Sequence, residues 1–140
     1  MRVVLDANIF ISALISQHGN PGKIFSKWKK GEIEIVVSPS IISEIYRVTG
    51  YARLQKKYSR IHEERESLID NLKAFATIVE PKQQLAVVQT DESDNRYIEC
   101  AVESGAKYIV TGDPHLLNVH EYWGIFIITP AYFLALLDGD

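Results

Sequence analysis

Four acidic residues lie in contexts that suit shared chemistry. Asp6 closes the apolar run of "RVVLDANIF", and Asp113 follows "YIV" after Thr111-Gly112. Glu44 lies within "SPSIISEI", and Asp94 within "DESDNRYIECA". An unpaired carboxylate is costly to bury, so Asp6 needs an edge, a partner or a chemical role. Brought into one cleft, each pair of such carboxylates at ~5 Å would repel by roughly 3 kcal/mol at an effective dielectric near 20. A cluster of this kind takes up protons or holds cations. Oxygen-only ligation suits a hard ion, Mg²⁺ or Mn²⁺. Beside a phosphate, such an ion activates water and stabilises the leaving oxygen.

The elements that must position these acids alternate between strand and helix. Val3 to Leu5, Ile33 to Val37, Tyr108 to Val110 and Ile125 to Ile128 read as buried strands, with a shorter one at Thr77 to Val79. A further short strand at Ala86 to Val88 is an option inside a loop running from Pro81 to Thr90. Helices are expected after Asp6, from Lys23 to Lys30, after Ser38-Pro39-Ser40, over Asp91 to Ser104, at Pro114 to Asn118 and from Ala131 to Leu137. The polar stretch from Tyr51 to Ala76 reads as two helices broken near Ser59. Short apolar strands between amphipathic helices predict a central, mostly parallel sheet of about five strands in a three-layer α/β/α arrangement. Such sheets bind ligands beyond the carboxyl ends of their strands. Asp6, Glu44 and Asp113 fall near that end, and Asp94 joins them if its helix starts there.

Each acid also has a plainer reading. Asp6 can simply cap the helix that follows it, and Asp94 can complement a helix dipole. Asp91 and Glu92 compete with Asp94, although Asp91 reads better as the cap. Glu44 can be a solvent-facing helix residue, Asp113-Pro114 a turn, and Thr111 a strand-end hydroxyl. His18, His62, His115 and His120 are left without a role.

The segment "YARLQKKYSR" carries Arg53, Lys56, Lys57 and Arg60 without an acid, interleaved with Tyr51 and Tyr58. Cations and aromatic faces together suit single-stranded RNA. A solvated helix face balanced by Glu63, Glu64 and Glu66 explains the same residues, and so does a protein docking surface.

Composition bounds the remaining choices. The 140 residues suit one domain spanning 1–140, and 46% hydrophobic with 24% charged residues is ordinary for a globular chain. A net charge of −3 gives no global pull on nucleic acid, so binding there needs a local basic patch. One cysteine, Cys100, excludes an intramolecular disulfide or a Cys-rich zinc site. Asp6 and Asn8 interrupt any signal-peptide core, and no apolar run approaches a membrane span. A cytoplasmic protein without membrane contact is the expectation.

Taken in order, "VVLDANIFISAL", "SPSIISEI", "DESDNRYIECA" and "YIVTGDPHLL" resemble the motifs of the PIN domain family, and the resemblance covers nearly the whole chain. It is nearest to the toxin components of prokaryotic toxin–antitoxin pairs (VapC-like). The resemblance implies a Mg²⁺- or Mn²⁺-dependent endoribonuclease that cleaves single-stranded RNA with metal-activated water. It assigns Asp6, Glu44 and Asp94 as metal-binding acids and Asp113 as a fourth that holds metal or water. Asn8 and Thr111 match polar positions that orient the carboxylates. It also implies a cognate antitoxin and a homodimer or higher oligomer.

Three other readings compete. A PIN-like fold can serve binding or assembly without turnover. A phosphoacceptor receiver domain needs an acidic pair after its first strand and a Lys after its fifth; here Asp6 stands alone, and Thr129-Pro130 follows Ile128. A haloacid-dehalogenase-type phosphatase needs a second Asp two positions after the first, where this chain has Asn8.

Overall fold

In the computed structural model, which describes residues 1–139, the chain alternates strand and helix around one sheet. Strand β1 (Arg2–Leu5) leads into helix α1 (Ala7–Ile15), and α2 (Asn20–Lys29) precedes β2 (Glu34–Val37). Helices α3 (Pro39–Thr49), α4 (Ala52–Lys57) and α5 (Ile61–Phe75) follow, then β3 (Thr77–Ile78). An extended segment and a 3₁₀ turn (Glu92–Asp94) lead to α6 (Asn95–Ser104). Then come β4 (Tyr108–Val110), α7 (Pro114–Leu117), β5 (Glu121–Tyr122), β6 (Ile125–Ile128) and α8 (Pro130–Asp138).

The sheet order is β3-β2-β1-β4-β6-β5. All neighbours pair in parallel except β5 and β6. Val3, Val4 and Leu5 of the central strand are fully buried, as the unbroken apolar run requires of a strand covered on both faces. Helix α6 lies across β1, β2 and β4, while α1, α2, α3 and α5 pack on one another and α8 packs on α2. The result is the α/β/α sandwich predicted from the alternation. Chain order reverses at β1, with β2 on one side and β4 on the other. That is a topological switch point, where a crevice opens beyond the strand ends.

Local chemistry sets the element boundaries. Ser38 caps α3 by accepting from the Ile41 amide at 3.3 Å, and Pro39 supplies its first residue. Gly105 ends α6 in the left-handed region at φ 74°, which glycine enters without strain. Cys100 lies in the core, as its place on α6 suggested.

Three elements differ from expectation. The sheet has six strands, because Glu121–Tyr122 forms an antiparallel edge on β6. Trp123 (φ 50°) and Gly124 (φ 82°) make the two-residue turn between them, and two successive positive φ values are the signature of a type I′ hairpin. Ala86 to Val88 is not a strand. The Asn95 side chain takes its polar groups instead, accepting from the Val87 and Val88 amides at 2.9 and 2.8 Å and donating to the Val88 carbonyl at 2.9 Å. The helix expected over Asp91 to Ser104 begins as a separate 3₁₀ turn.

Candidate active site

Asp6 sits one residue past β1 and caps α1, accepting from the Asn8 amide at 3.0 Å. Its other oxygen accepts the Thr111 hydroxyl at 2.7 Å. Thr111 follows β4, the strand beside β1, so parallel pairing of these strands brings the two residues together. Thr111 is fully buried, and its oxygen also accepts the Asp113 amide at 3.0 Å. One hydroxyl thus ties the two strand exits together. Asp113 caps α7 by accepting from the His115 amide at 2.9 Å.

Asp94 ends the 3₁₀ turn and is 5% exposed. Its Oδ2 is buried and has no hydrogen-bond partner. Burial, then the adjacent Asp113 carboxylate, then Asp91 and Asp6, push the Asp94 carboxyl up to about 8. Asp6 is also raised, chiefly by burial; its bonds from Thr111, Asn8 and Tyr97 oppose the shift, and the Asp113 charge adds to it. These acids share a region of concentrated negative charge.

Asp6, Asn8, Glu44, Asp94 and Asp113 all line one open cavity of about 640 Å³ at the switch point. Glu44 comes from α3, where both of its oxygens are held by Arg47. The Arg47 Nε donates to Oε2 at 3.2 Å, and Nη2 donates to Oε1. Among the described residues, no three His, Cys, Asp or Glu side chains are grouped closely enough to hold an ion as they stand. The donor set is nevertheless all oxygen, and the partnerless Asp94 Oδ2 is an atom that a hard cation would satisfy. That donor chemistry suits a hard divalent ion.

The other sequence expectations divide. Asn8 orients Asp6 through its backbone amide, while its side chain is exposed at the cavity. Asp91 caps the 3₁₀ turn, accepting from the Ser93 amide at 3.0 Å. Arg53 and Lys57 line the cavity, with Tyr51 and Tyr58 beside them. Lys56 lies outside that lining, and Arg60 faces a different groove and pairs with Glu63 at 3.7 Å. The basic wall is therefore narrower than the sequence segment implied.

Two residues with no role in the sequence reading belong to this site. Tyr97, placed among inward apolar residues, accepts the Ala7 amide on its hydroxyl at 3.1 Å and lines the cavity. Burial, then the Asp6 charge, raise its phenol well above the ordinary range. Arg47 is the other. Its spacing of three from Glu44 on one helix was the available signal.

The profile of the PIN domain family matches residues 2–115. The chain is 36% identical over 124 residues to "Uncharacterized protein MJ1680" of Methanocaldococcus jannaschii, covering 86% of this chain and 76% of that protein. It is similar in fold to the crystal structure of PAE2754 from Pyrobaculum aerophilum, with a TM-score of 0.64 and 19% identity over 99% of this chain and 90% of that one. With the family profile spanning all four acids, this chain belongs to the PIN domain family.

Proposed function

We propose that this protein is a divalent-metal-dependent endoribonuclease acting on single-stranded RNA, and the toxin of a toxin–antitoxin pair. PIN domains are generally nucleases, which supports hydrolysis of a phosphodiester. The observation that carries the metal reading is Asp94 Oδ2, buried and partnerless beside Asp113 in a cavity that also presents Asp6. The toxin role, the antitoxin partner and self-association draw their support from the motif resemblance.

Asp6, Glu44, Asp94 and Asp113 would hold Mg²⁺ or Mn²⁺. When bound, such an ion supplies activation of the attacking water and stabilisation of the leaving oxygen. The chain's own residues do the rest. Thr111 fixes the Asp6 carboxylate and the Asp113 backbone relative to each other. Arg53 and Lys57 attract the phosphates of the strand, and Tyr51 and Tyr58 offer aromatic faces to its bases. This placement sets an anionic strand between a basic wall and an acidic floor.

The purified protein should cleave single-stranded RNA with Mn²⁺ and stop in EDTA. Asp94→Asn should lose at least about 100-fold in rate, more than loss of a supporting partner costs. Cleavage that survives EDTA, or full activity in Asp94→Asn, overturns the proposal. A second reading, a PIN-fold binding module without turnover, draws on the pairing of Glu44 with Arg47. It requires that RNA and Mn²⁺ bind without strand scission, so calorimetry beside the cleavage assay separates the two.

A further inference from the structure

Glu44 is held by a cation that the chain itself supplies. Arg47, one turn on in α3, places Nε 3.2 Å from Oε2 and directs Nη2 to Oε1, so its fork engages both carboxylate oxygens. While that pair stands, one acceptor site on each Glu44 oxygen is taken, and the guanidinium charge repels a second cation. Among the described residues no three acids are grouped to hold an ion, and Glu44 is the one of the four whose oxygens both take a cationic partner.

Arg47 is also placed to let go. Its side chain is 57% exposed, whereas that of Glu44 is 24% exposed. The guanidinium lies 5.7 Å from the centre of the Tyr51 ring, and Nη1 donates to the Tyr51 hydroxyl. Tyr51, Arg53 and Lys57 line the same cavity wall, where an incoming anionic strand meets positive charge. Guanidinium binds phosphate in the same bidentate manner as carboxylate, so a phosphate can replace Glu44 without leaving Arg47 unpaired. Only a partner of comparable geometry, such as a phosphate, replaces a forked carboxylate at little cost.

We propose that Arg47 is a positioning residue that exchanges Glu44 for a phosphate of the bound strand and thereby releases Glu44 to the metal. This inference rests on the reading of the cavity as a metal-dependent ribonuclease site. It makes strand binding and metal binding mutually reinforcing, since linkage between two ligands is reciprocal. A nuclease built this way completes its metal site only on substrate.

The test is calorimetric titration of Mn²⁺ into the full chain, alone and with a saturating octamer of 2′-O-methyl oligouridine as a non-cleaved strand. Wild type should bind Mn²⁺ about threefold to fivefold more tightly with the octamer present. Arg47→Gln should bind Mn²⁺ that much more tightly without the octamer and gain little when it is added. Arg47→Lys keeps the charge and loses the fork, so its Mn²⁺ affinity and coupling should fall between those of wild type and Arg47→Gln. Lys56→Gln removes a charge from the same segment outside the cavity lining and should keep the wild-type coupling. Mn²⁺ affinity unchanged in both Arg47 variants, or coupling lost equally in Lys56→Gln, overturns the exchange and leaves the metal site standing. Wild type that binds no Mn²⁺ under either condition overturns the metal site and the exchange together.

Discussion

The Thr111 hydroxyl donates to the Asp6 carboxylate at 2.7 Å across 105 positions of sequence. Both residues are buried, one past the end of β4 and the other past the end of β1. The bond joins the two halves of the chain at the point where strand order reverses. Thr111→Val removes the donor to Asp6 and the acceptor of the Asp113 amide while keeping the shape. It should lower RNA cleavage by about 10- to 100-fold, as loss of a carboxylate's supporting partner does. It should also cost about 1 kcal/mol of stability, because a half-buried amide and a buried carboxylate each lose a partner. Turnover kinetics and denaturant unfolding check the two effects separately.

Asp94 makes metal-free stability depend on pH. Its unfolded value lies near 3.8 and its folded value near 8, so the native state binds the proton more tightly. The stability that this proton confers is complete below the unfolded value and is lost as pH rises toward about 8. In EDTA, Asp94→Asn should match wild type near the acid end of that window. At the alkaline end it should be more stable by on the order of 2 kcal/mol, having no buried charge to form. Mn²⁺ should then raise the melting temperature of wild type and leave that of Asp94→Asn unmoved. Denaturant melts across the pH range, with and without Mn²⁺, measure this.

The basic segment should divide in function as it does in space. Arg53→Ala and Lys57→Ala remove cavity-lining charge and should raise KM for RNA with kcat nearly unchanged. Each should also flatten the dependence of binding on salt by about 0.7 in log–log slope, the value for one phosphate contact on a single strand. Lys56→Ala and Arg60→Ala should change neither quantity. Anisotropy titrations over a salt series, beside steady-state kinetics, decide the matter.

Much of this architecture can be read from the sequence. The strands Val3 to Leu5 and Tyr108 to Val110 are short β-branched or apolar runs because they are covered on both faces, and that pattern survives without any partner in view. Edge strand β5 has only two residues, and its hairpin places Trp123 at positive φ, where a tryptophan gives no turn signal. Ala86 to Val88 has strand composition, but Asn95 satisfies its amides and no sheet is needed. Arg53 and Lys57 stand four apart on α4 and both line the cavity; Lys56, one position from Lys57, does not, and Arg60 lies beyond the helix end at Lys57. The parts of the candidate site that were not legible depend on side-chain direction. Tyr97 looks like any core aromatic until its hydroxyl is found on the Ala7 amide. Arg47 looks like a surface charge until its fork is found on Glu44.

Gly22 tests the packing between α1 and α2. A Cβ there would lie 2.4 Å from the Gln17 carbonyl oxygen and 2.7 Å from that of Ser16, both on the backbone linking α1 to α2. At those distances the backbone itself must shift. Gly22→Ala should therefore destabilise the fold by about 1–3 kcal/mol, the usual cost of overpacking, and lower the melting temperature accordingly. Differential scanning calorimetry reads the change.

On the proposed mechanism, Asp6, Glu44, Asp94 and Asp113 hold a catalytic divalent cation. Anomalous diffraction from a crystal soaked in Mn²⁺ locates that ion. The expected peak lies in the cavity within coordination distance of Asp6 and Asp94, with Asp113 or Glu44 completing the protein ligands. An anomalous peak elsewhere on the chain, or none at these carboxylates in a fully soaked crystal, would contradict that mechanism.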